Sequence, residues 1–305
     1  MDMPIIQIKD LRKSFDKVQA LDGVTADIEG GEVFCVLGPD GAGKTTLLRI
    51  LAGVMIPDSG SLTIFNKDIK ANPEAAKPQI GYLSQRFSLY PDLTVAENID
   101  FYGRLFQIDR SQSENRKQRL LEFSRLGPYA DRFAKHLSGG MKQKLALSCA
   151  LIHTPKLLIL DEPTTGVDPI SRREFWKILY DLLAEGMTIV FASPYMDEAE
   201  RANQVAMLYH GKIISIDKPD NLKSSYKYHL AELITADNRR TRELLQGKFG
   251  PQNVVFFGDK LHVKAADYSR DSEIIKSVIE TAGISIISLE QIAPDMEDVF
   301  IDAIS

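Results

Sequence analysis

Short apolar runs alternate with helical patterns along the first 220 residues of the chain. Strands are predicted at residues 4–11, 24–29, 32–38, 57–69, 79–85, 156–163, 187–193 and 204–217. Apolar residues at helical spacing predict helices at 44–53 and 171–185. The run "KLLILDEP" is nearly all apolar, as expected for a parallel strand buried on both faces. This alternation predicts an α/β core around a mostly parallel sheet.

A helical stretch interrupts this core between about residues 87 and 156. Helices are predicted at 94–106, 114–127 and 138–153, with Ser138 placed to cap the third. No strand pattern competes there. The segment is therefore predicted to be a helical subdomain.

The pattern starts afresh near residue 223. Strand, helix, hairpin, helix, strand and helix are predicted in turn up to residue 304, with the hairpin turn at Gly258 and Asp259. The order β-α-β-β-α-β is that of a ferredoxin-like split βαβ unit. We therefore expect a domain at 1–222 and a small α+β domain at 223–305.

Composition narrows the class of protein. Apolar residues make up 44% and charged residues 26% of the 305 residues, and the net charge of −5 argues against a nucleic-acid partner. No signal peptide and no apolar run of about 18 residues are visible, which predicts a cytoplasmic chain. Cys35 and Cys149 stand in apolar contexts and are predicted to be buried thiols.

The stretch "GPDGAGKTT" fits the phosphate-binding pattern G-x-x-x-x-G-K-[ST] between a strand and a helix. Its glycines allow a tight turn close to phosphate, and the helix N-terminus adds partial positive charge. Lys44 would contact the β- and γ-phosphates, and Thr45 would bind Mg²⁺. The alternative is an ordinary strand–helix turn. The predicted nucleotide-binding residues here are Gly38, Pro39, Asp40, Gly41, Ala42, Gly43, Lys44, Thr45 and Thr46.

Two carboxylates end the apolar run "LLILDEP". Asp161 would reach Mg²⁺ beside the phosphate-binding loop. Glu162 would orient or deprotonate the attacking water and is the predicted catalytic residue. Alone this pattern is as consistent with an exposed strand end, but the upstream loop makes the metal and catalytic roles the preferred interpretation.

A third motif points to a family. "LSGGMKQ" at residues 137–143, together with "GPDGAGKTT", "LLILDEP" and "TTGVDP", resembles the ATP-binding cassette family from residue 5 to about 220. The resemblance implies ATP and Mg²⁺ as cofactors and a P-loop NTPase fold. It also implies a nucleotide-binding subunit of a membrane transporter that dimerises head to tail with a second ATPase.

The resemblance also implies roles for residues outside the loop. Phe15 would stack on adenine, and Gln85 would bind Mg²⁺ and sense the γ-phosphate; the alternatives are a core aromatic and a solvated strand end. Asp168 would lie in a loop that touches the opposite site. The residues that would contact the partner's ATP are Ser138, Gly139 and Gly140.

Two further segments resemble parts of exporter ATPases. "PDMEDVFI" is similar to the ending of ATPase subunits whose membrane domains are separate chains. "RFSLYPDLTVAENI" resembles the region that receives the membrane subunit, which makes Tyr90 and Leu93 candidates for that contact or, equally, for packing. We therefore expect a peripheral protein on the inner face of the cell membrane.

The chain departs from the family at two positions. Asp40 replaces a common Asn, with a modest expected repulsion of triphosphate. Pro194 stands where the family has a histidine that contacts the γ-phosphate and the attacking water. Because proline has no side-chain donor and no N–H, Ser193 or Tyr195 would have to supply the contact, or Pro194 merely begins the next helix.

Three functions therefore compete. The preferred one is an exporter ATPase that binds MgATP well, hydrolyses it poorly at its own loop and pairs with a second, more regular ATPase. The others are a non-hydrolysing module that dimerises on ATP, and a soluble cassette protein that acts on ribosomes or DNA. Glu162 favours the first over the second, since a binding module gains little from a carboxylate that orients water.

Overall fold

A computed structural model describes residues 4–85 and 89–304 of the chain. It divides into two compact units, residues 1–219 and 220–305. The division falls within the helix Pro219–Ser224, three residues before the predicted boundary at residue 222.

The strands of the first unit are β1 (Ile6–Phe15), β2 (Val18–Ile28), β3 (Val33–Leu37), β4 (Ser59–Ile64), β5 (Lys67–Asp68), β6 (Ile80–Leu83), β7 (Leu157–Asp161), β8 (Thr188–Ser193), β9 (Gln204–Tyr209) and β10 (Lys212–Asp217). The helices up to the division are α1 (Lys44–Leu51), α2 (Val95–Leu105), α3 (Arg110–Phe123), α4 (Gly139–Leu151), α5 (Pro169–Ala184), α6 (Met196–Ala199) and α7 (Pro219–Ser224). In the described ranges, no helix is both long and apolar enough to cross a bilayer.

A six-stranded sheet forms the centre of this unit. Its order is β10-β9-β3-β8-β7-β6, and every neighbouring pair is parallel except β10 and β9. All residues of β3, β7 and β8 are buried, as their apolar sequences require. The predicted mostly parallel sheet is confirmed, and the carboxyl ends of β3, β7 and β8 meet at one edge.

The first strands form a separate antiparallel sheet, which the sequence analysis did not anticipate. Its order is β2-β1-β4-β5. Ile6, Ile8 and Leu11 of β1 are buried and its other residues are half-buried or exposed, so one face packs against the core. Ile6 and Ile8 share that core with Leu47 and Leu48 of α1. The helix α1 is thus packed between the two sheets.

The helical stretch contains the three predicted helices, but α3 spans residues 110–123, four residues earlier than predicted at both ends. Thr94 and Glu97 make a reciprocal cap at the start of α2: Thr94 Oγ1 accepts from Glu97 N at 3.2 Å, and Glu97 Oε2 accepts from Thr94 N at 2.8 Å. Ser138 caps α4 by accepting a hydrogen bond from Met141 N at 3.3 Å. Both caps confirm the predicted helix starts.

The two cysteines are free and buried, as predicted. Cys35 lies on β3 and Cys149 on α4. Burial raises the pKa of both thiols, so neither is disposed to react as a thiolate.

The second unit is a four-stranded antiparallel sheet with helices. After α7 come β11 (His229–Thr235), α8 (Asn238–Phe249), β12 (Val254–Phe257), β13 (Lys260–Ala265), α9 (Tyr268–Thr281), β14 (Ile286–Ile292) and α10 (Met296–Ile304). The strand order β12-β13-β11-β14 and the element order are those of a split βαβ unit. Its own core includes Leu233, Leu245, Val263, Ile275 and Ile279.

Two ion pairs hold α10 to β13. His262 Nδ1 lies 2.8 Å from Asp298 Oδ1, and Lys264 Nζ lies 2.6 Å from Asp302 Oδ1. Burial alone would lower the pKa of His262, but the hydrogen bond and the charge of Asp298 raise it above its ordinary value. The spacing fits both elements, because residues two apart share a strand face and residues four apart share a helix face.

Candidate functional site

The predicted phosphate-binding loop joins β3 to α1 at the carboxyl edge of the central sheet. It is anchored at its start, where Gly38 N donates to Ser193 O at 3.4 Å. A Cβ on Gly38 would lie 2.3 Å from Leu208 O, so no larger residue fits there. Gly43, the N-cap of α1, has φ +110°. The loop therefore has the close approach and left-handed turn that the sequence predicted for a phosphate cradle.

The glycines of this loop offer a matched test. Gly41 and Gly43 both have positive φ, but a Cβ on Gly43 would lie 2.3 Å from Ala20 O, whereas a Cβ on Gly41 would meet nothing within 4 Å. We expect Gly43→Ala to lower the free energy of unfolding by about 2 kcal/mol more than Gly41→Ala does. Urea unfolding of both variants measures this difference. Equal losses would mean that the loop relaxes freely around a new side chain.

Lys44 is almost fully buried beneath the loop, with 4% of its surface exposed. Its Nζ donates to Gly38 O at 2.8 Å and to Pro39 O at 3.1 Å. Its charge faces Glu162, with Lys44 Nζ 3.4 Å from Glu162 Oε1. The ammonium is thus fixed inside the loop where a phosphate group would need it.

Other loop residues differ in exposure. Ala42 is buried and its N–H donates to Pro39 O at 3.2 Å, whereas Thr46 is half-buried in the first turn of α1. The Asp40 side chain is 95% exposed, and its Oδ1 lies 3.9 Å from Lys44 Nζ. Its carboxylate is therefore mostly solvated.

Thr45 and Asp161 form a pair suited to a divalent ion. Thr45 Oγ1 donates to Asp161 Oδ1 at 3.0 Å. Asp161 is 1% exposed, and its other oxygen is buried without a hydrogen-bond partner in the described part of the chain. Burial, more than any neighbour, raises the pKa of Asp161. An unpaired buried carboxylate oxygen is costly, and a cation would satisfy it.

The donor set fits Mg²⁺ rather than a metal held by protein alone. Among residues 4–85 and 89–304, no cluster of three or more His, Cys, Asp or Glu side chains could hold an ion. Mg²⁺ typically binds one or two carboxylates and completes its shell with substrate phosphates and water. The pair formed by Thr45 and Asp161, next to the loop, meets that requirement.

Glu162 lies in a strained turn directly after β7. It has φ +50°, is 8% exposed, and its N–H donates to Ala192 O at 3.1 Å. Its carboxylate accepts hydrogen bonds from Gln85 Nε2 at 2.9 Å and from Thr165 Oγ1 at 3.4 Å. Left-handed backbone in a residue other than glycine is a feature that clusters at functional sites.

Gln85 reaches this site from a turn rather than from a strand. The strand β6 ends at Leu83, two residues earlier than predicted, and Gln85 is exposed. Its hydrogen bond to Glu162 gives it a specific partner, which a merely solvated strand end would lack. The sequence placed both residues near the γ-phosphate but did not predict that they bond to each other.

Phe15 is not a core aromatic. It ends β1 with 45% of its surface exposed, and Lys13 Nζ lies 5.6 Å from its ring centroid. The core alternative is therefore wrong, and part of the aromatic side chain is exposed to solvent.

Residues 138–140 of the third motif, the signature segment, begin the signature helix α4 and lie beside α5. A Cβ on Gly140 would lie 2.4 Å from Ser171 Cβ, which shows how closely α4 approaches the start of α5. Asp168 caps α5 there, its Oδ1 accepting from Ile170 N at 3.1 Å and Ser171 N at 2.9 Å. In the described ranges, no hydrogen bond or ion pair joins residues 138–140 to residues 38–46. The structure thus groups Ser138, Gly139 and Gly140 with Asp168.

Pro194 directly follows β8, beside the start of the loop. The helix after it is only four residues long and begins at Met196, so Pro194 precedes the N-cap Tyr195. The alternative that Pro194 begins the next helix is therefore wrong. Pro194 instead directly follows Ser193, the last residue of β8, whose carbonyl oxygen accepts a hydrogen bond from Gly38 N.

The polar neighbours of Pro194 are engaged elsewhere. Ser193 is fully buried, donates to Glu198 Oε2 at 2.7 Å and accepts from Tyr195 N at 3.0 Å. The Tyr195 ring lies under the guanidinium of Arg172, 5.0 Å from its centroid. Sequence reasoning missed Glu198, because nothing in "YMDEAE" distinguishes a buried carboxylate from its exposed neighbours.

A groove lies between Gln85 and the signature helix. It encloses about 420 Å³ and is lined by Gln85, Leu89, Pro91, Ala134, Lys135, Gly139, Lys142, Gln143 and Ala146. Leu93 nearby is half-buried, and Tyr90 is 43% exposed with its ring 4.4 Å from Phe101. Residues 86–88, the first part of the segment predicted to receive a membrane subunit, lie outside the described residues.

The chain is similar to known proteins in sequence and in fold. A family profile described as ABC transporter matches residues 21–165. The probable multidrug ABC transporter ATP-binding protein YbhF of Escherichia coli (strain K12) is 39% identical over 305 residues, which cover 99% of this chain and 52% of that protein. The chain thus spans about half the length of YbhF.

Two further comparisons cover nearly all of the matched protein. The Nod factor export ATP-binding protein I of Rhizobium sp. (strain N33) is 34% identical over 303 residues, covering 99% of this chain and 97% of that protein. The solved dimeric post-hydrolysis structure of the ATP-binding cassette MJ0796, bound to ADP and Pi, has a TM-score of 0.64 at 25% identity and covers 70% of this chain and 98% of that one. The chain belongs to the family of ABC transporter ATP-binding subunits.

Proposed function

We propose that this chain binds MgATP and couples ATP hydrolysis to export through a membrane transporter. The observation that carries the proposal is the cluster at the carboxyl edge of the central sheet, where Lys44 contacts Glu162 and Glu162 contacts Gln85. Beside it, Thr45 bonds to Asp161. Cation, carboxylate, amide and hydroxyl are the groups that phosphoryl transfer from a nucleotide requires.

Each group has a stated role. Lys44 and the free N–H groups at the start of α1 hold the β- and γ-phosphates, and Phe15 stacks on adenine. Thr45, Asp161 and Gln85 hold Mg²⁺, which when bound neutralises charge on the phosphates. Glu162, the catalytic residue, holds the attacking water and takes its proton.

The signature group serves a second subunit. Ser138, Gly139 and Gly140 begin a thirteen-residue helix, and none of their hydrogen bonds in the described ranges reaches the loop of the same chain. A helix N-terminus is an anion site, so it suits the triphosphate held by a partner. The dimeric cassette MJ0796, similar to this chain, supports this arrangement.

Pro194 makes this chain the weaker half of an unequal pair. The Ser193 hydroxyl is bonded within the protein, so it does not replace the family's histidine as a donor. The chain's own site would therefore turn over slowly, while its signature completes the site of a second ATPase.

The membrane partner would dock at the groove beside Gln85, with Tyr90 and Leu93 at its rim. Two relatives named for multidrug and Nod factor export favour an exporter. The chain would then bind the membrane partner at the inner face of the cell membrane. A regulatory module that never hydrolyses ATP remains the second candidate, but the buried and well-bonded Glu162 favours hydrolysis.

The test is association driven by nucleotide. Glu162→Gln slows hydrolysis, so MgATP is expected to convert this variant from monomer to dimer, alone or with a co-purified second ATPase, in size-exclusion chromatography with light scattering. Adding Gly139→Asp places a carboxylate at the exposed signature, where a Cβ meets only Gly166 O at 3.9 Å, and is expected to prevent association.

Gly127→Asp is the matched control, because a Cβ at that exposed position meets nothing within 4 Å. It is expected to dimerise normally. Absence of MgATP-driven association in every pairing, or unchanged association with Gly139→Asp, would contradict the proposed dimer.

A further inference from the structure

Glu198 is a buried carboxylate outside the motifs described above. It is 1% exposed and lies in the four-residue helix α6. One oxygen accepts from Ser193 Oγ at 2.7 Å, and the other accepts from Thr164 Oγ1 and, at 3.5 Å, from Trp176 Nε1. A carboxylate is removed from water only at high cost unless it is bonded in this way.

These hydrogen bonds connect the segment after β7 to the end of β8, at the edge of the sheet where the candidate site lies. Thr164 is two residues after Glu162 at the end of β7, in the segment that leads to Asp168. Ser193 ends β8, and its carbonyl accepts from Gly38 N at the start of the phosphate-binding loop. Glu198 therefore links the segment after Glu162 to the strand end that anchors the loop.

Among the described residues, no backbone pairing between β7 and β8 extends as far as this side-chain link. Between β7 and β8 the backbone pairing ends with the bond from Glu162 N to Ala192 O. Beyond that hydrogen bond the two segments are no longer paired: the first continues to Asp168, and the second continues into Pro194. Thr164, Ser193 and Glu198 are all at most 1% exposed, so the side-chain bridge continues the pairing within the protein interior.

We propose that Glu198 is a positioning residue for ATP hydrolysis, which sets the segment Thr164–Asp168 and the turn at Glu162 relative to the phosphate-binding loop. The proposal rests on the proposed function. Glu198 touches no nucleotide; it acts through Thr164 and Ser193. Its loss should therefore slow turnover and leave nucleotide affinity nearly unchanged.

A neighbouring carboxylate provides the matched control. Asp197 lies in the same helix, its side chain is 63% exposed, and its Oδ2 lies 3.3 Å from Arg172 Nη1. Arg172 Nε also lies 3.8 Å from Glu198 Oε1. Asp197→Asn thus removes a charge beside the same arginine without breaking the bridge between Thr164 and Ser193.

The experiment compares Glu198→Gln with Asp197→Asn in the full chain. Glutamine keeps the size of the side chain but places an amide where a carboxylate oxygen accepted from Ser193 or Thr164. Hydrogen–deuterium exchange at the amides of residues 164–168 is expected to rise about tenfold in Glu198→Gln and to stay unchanged in Asp197→Asn. Unchanged exchange in Glu198→Gln would overturn the bridge.

Kinetics then test the consequence. Glu198→Gln is expected to lower kcat for ATP about tenfold with KM within about twofold of wild type, in both the native background and the Pro194→His background. Thr164→Val removes the hydroxyl at nearly equal size. Added to Glu198→Gln, it should lower kcat little further, because both substitutions break the same bridge. An unchanged kcat, or a loss confined to KM, would overturn the positioning role. A wild-type chain that binds no MgATP would instead contradict the proposed function and leave the exchange result standing.

Discussion

Lys44→Ala is expected to lower the affinity for MgATP at least about a hundredfold, because two or more charge-assisted hydrogen bonds to phosphate disappear. The wild-type ammonium is already placed: it is 4% exposed and bonded to Gly38 O and Pro39 O of the loop that would surround the phosphates. Little ordering is needed on binding, so most of its interaction with phosphate contributes to affinity. Titration with a fluorescent ATP analogue measures the loss.

The control for this prediction is a lysine at the other end of the same sheet. Lys156 is exposed and directly precedes β7, whereas Asp161 ends that strand at the nucleotide edge. Lys156→Ala changes the net charge equally and is expected to bind MgATP as wild type does. Circular dichroism must show that Lys44→Ala is folded, since the variant leaves Glu162 without its cation. Full affinity in a folded Lys44→Ala chain would refute the nucleotide site.

Local signals made the core of the site predictable. The loop 38–46, the apolar strand before Asp161 and the Ser138 cap depend on neighbours in sequence, and the structure has each of them where the pattern placed it. Turns and caps need particular residue types because of backbone geometry, and those types are visible in the chain. For the same reason the order of elements after residue 223 could be read from the sequence.

Long-range pairing was not predictable in the same way. The strand β1 pairs with β4 more than 40 residues later to form a second sheet, and no local pattern specifies that partner. The alternation of β1 predicts a strand with one buried face but not which sheet it joins. Glu198 was missed for a related reason: its burial comes from Thr164, Trp176 and Ser193, which are brought to it by the fold.

The same limit applies to Pro194. The sequence shows that Pro194 has no side-chain hydrogen-bond donor where the family has a histidine. Only the structure shows what the side chains of Ser193 and Tyr195 contact. Ser193 points its hydroxyl at Glu198, and Tyr195 packs its ring under Arg172. The departure from the family pattern is therefore not offset by a flanking side chain that is already aimed at the loop.

Pro194→His is expected to raise ATP turnover at this chain's own site about a hundredfold, the typical effect of one positioned polar group at a reacting centre. The position is favourable, because it follows β8 directly and Ser193 O accepts from Gly38 N of the loop. Pro194 is half-buried, so part of the side chain at this position faces solvent. Steady-state phosphate release by the purified chain measures the gain.

Pro194→Ala separates the effect of a side-chain donor from the effect of removing the proline ring. Alanine restores the N–H and removes the ring but supplies no side-chain donor, so this variant is expected to stay as slow as wild type. Equal rates in Pro194→His and Pro194→Ala would show that the missing donor does not limit turnover. Robust ATPase activity of the wild-type homodimer, unchanged by Ser193→Ala or Tyr195→Phe, would contradict the unequal pair directly. In that case the chain would reach full turnover without a polar side chain at residue 194.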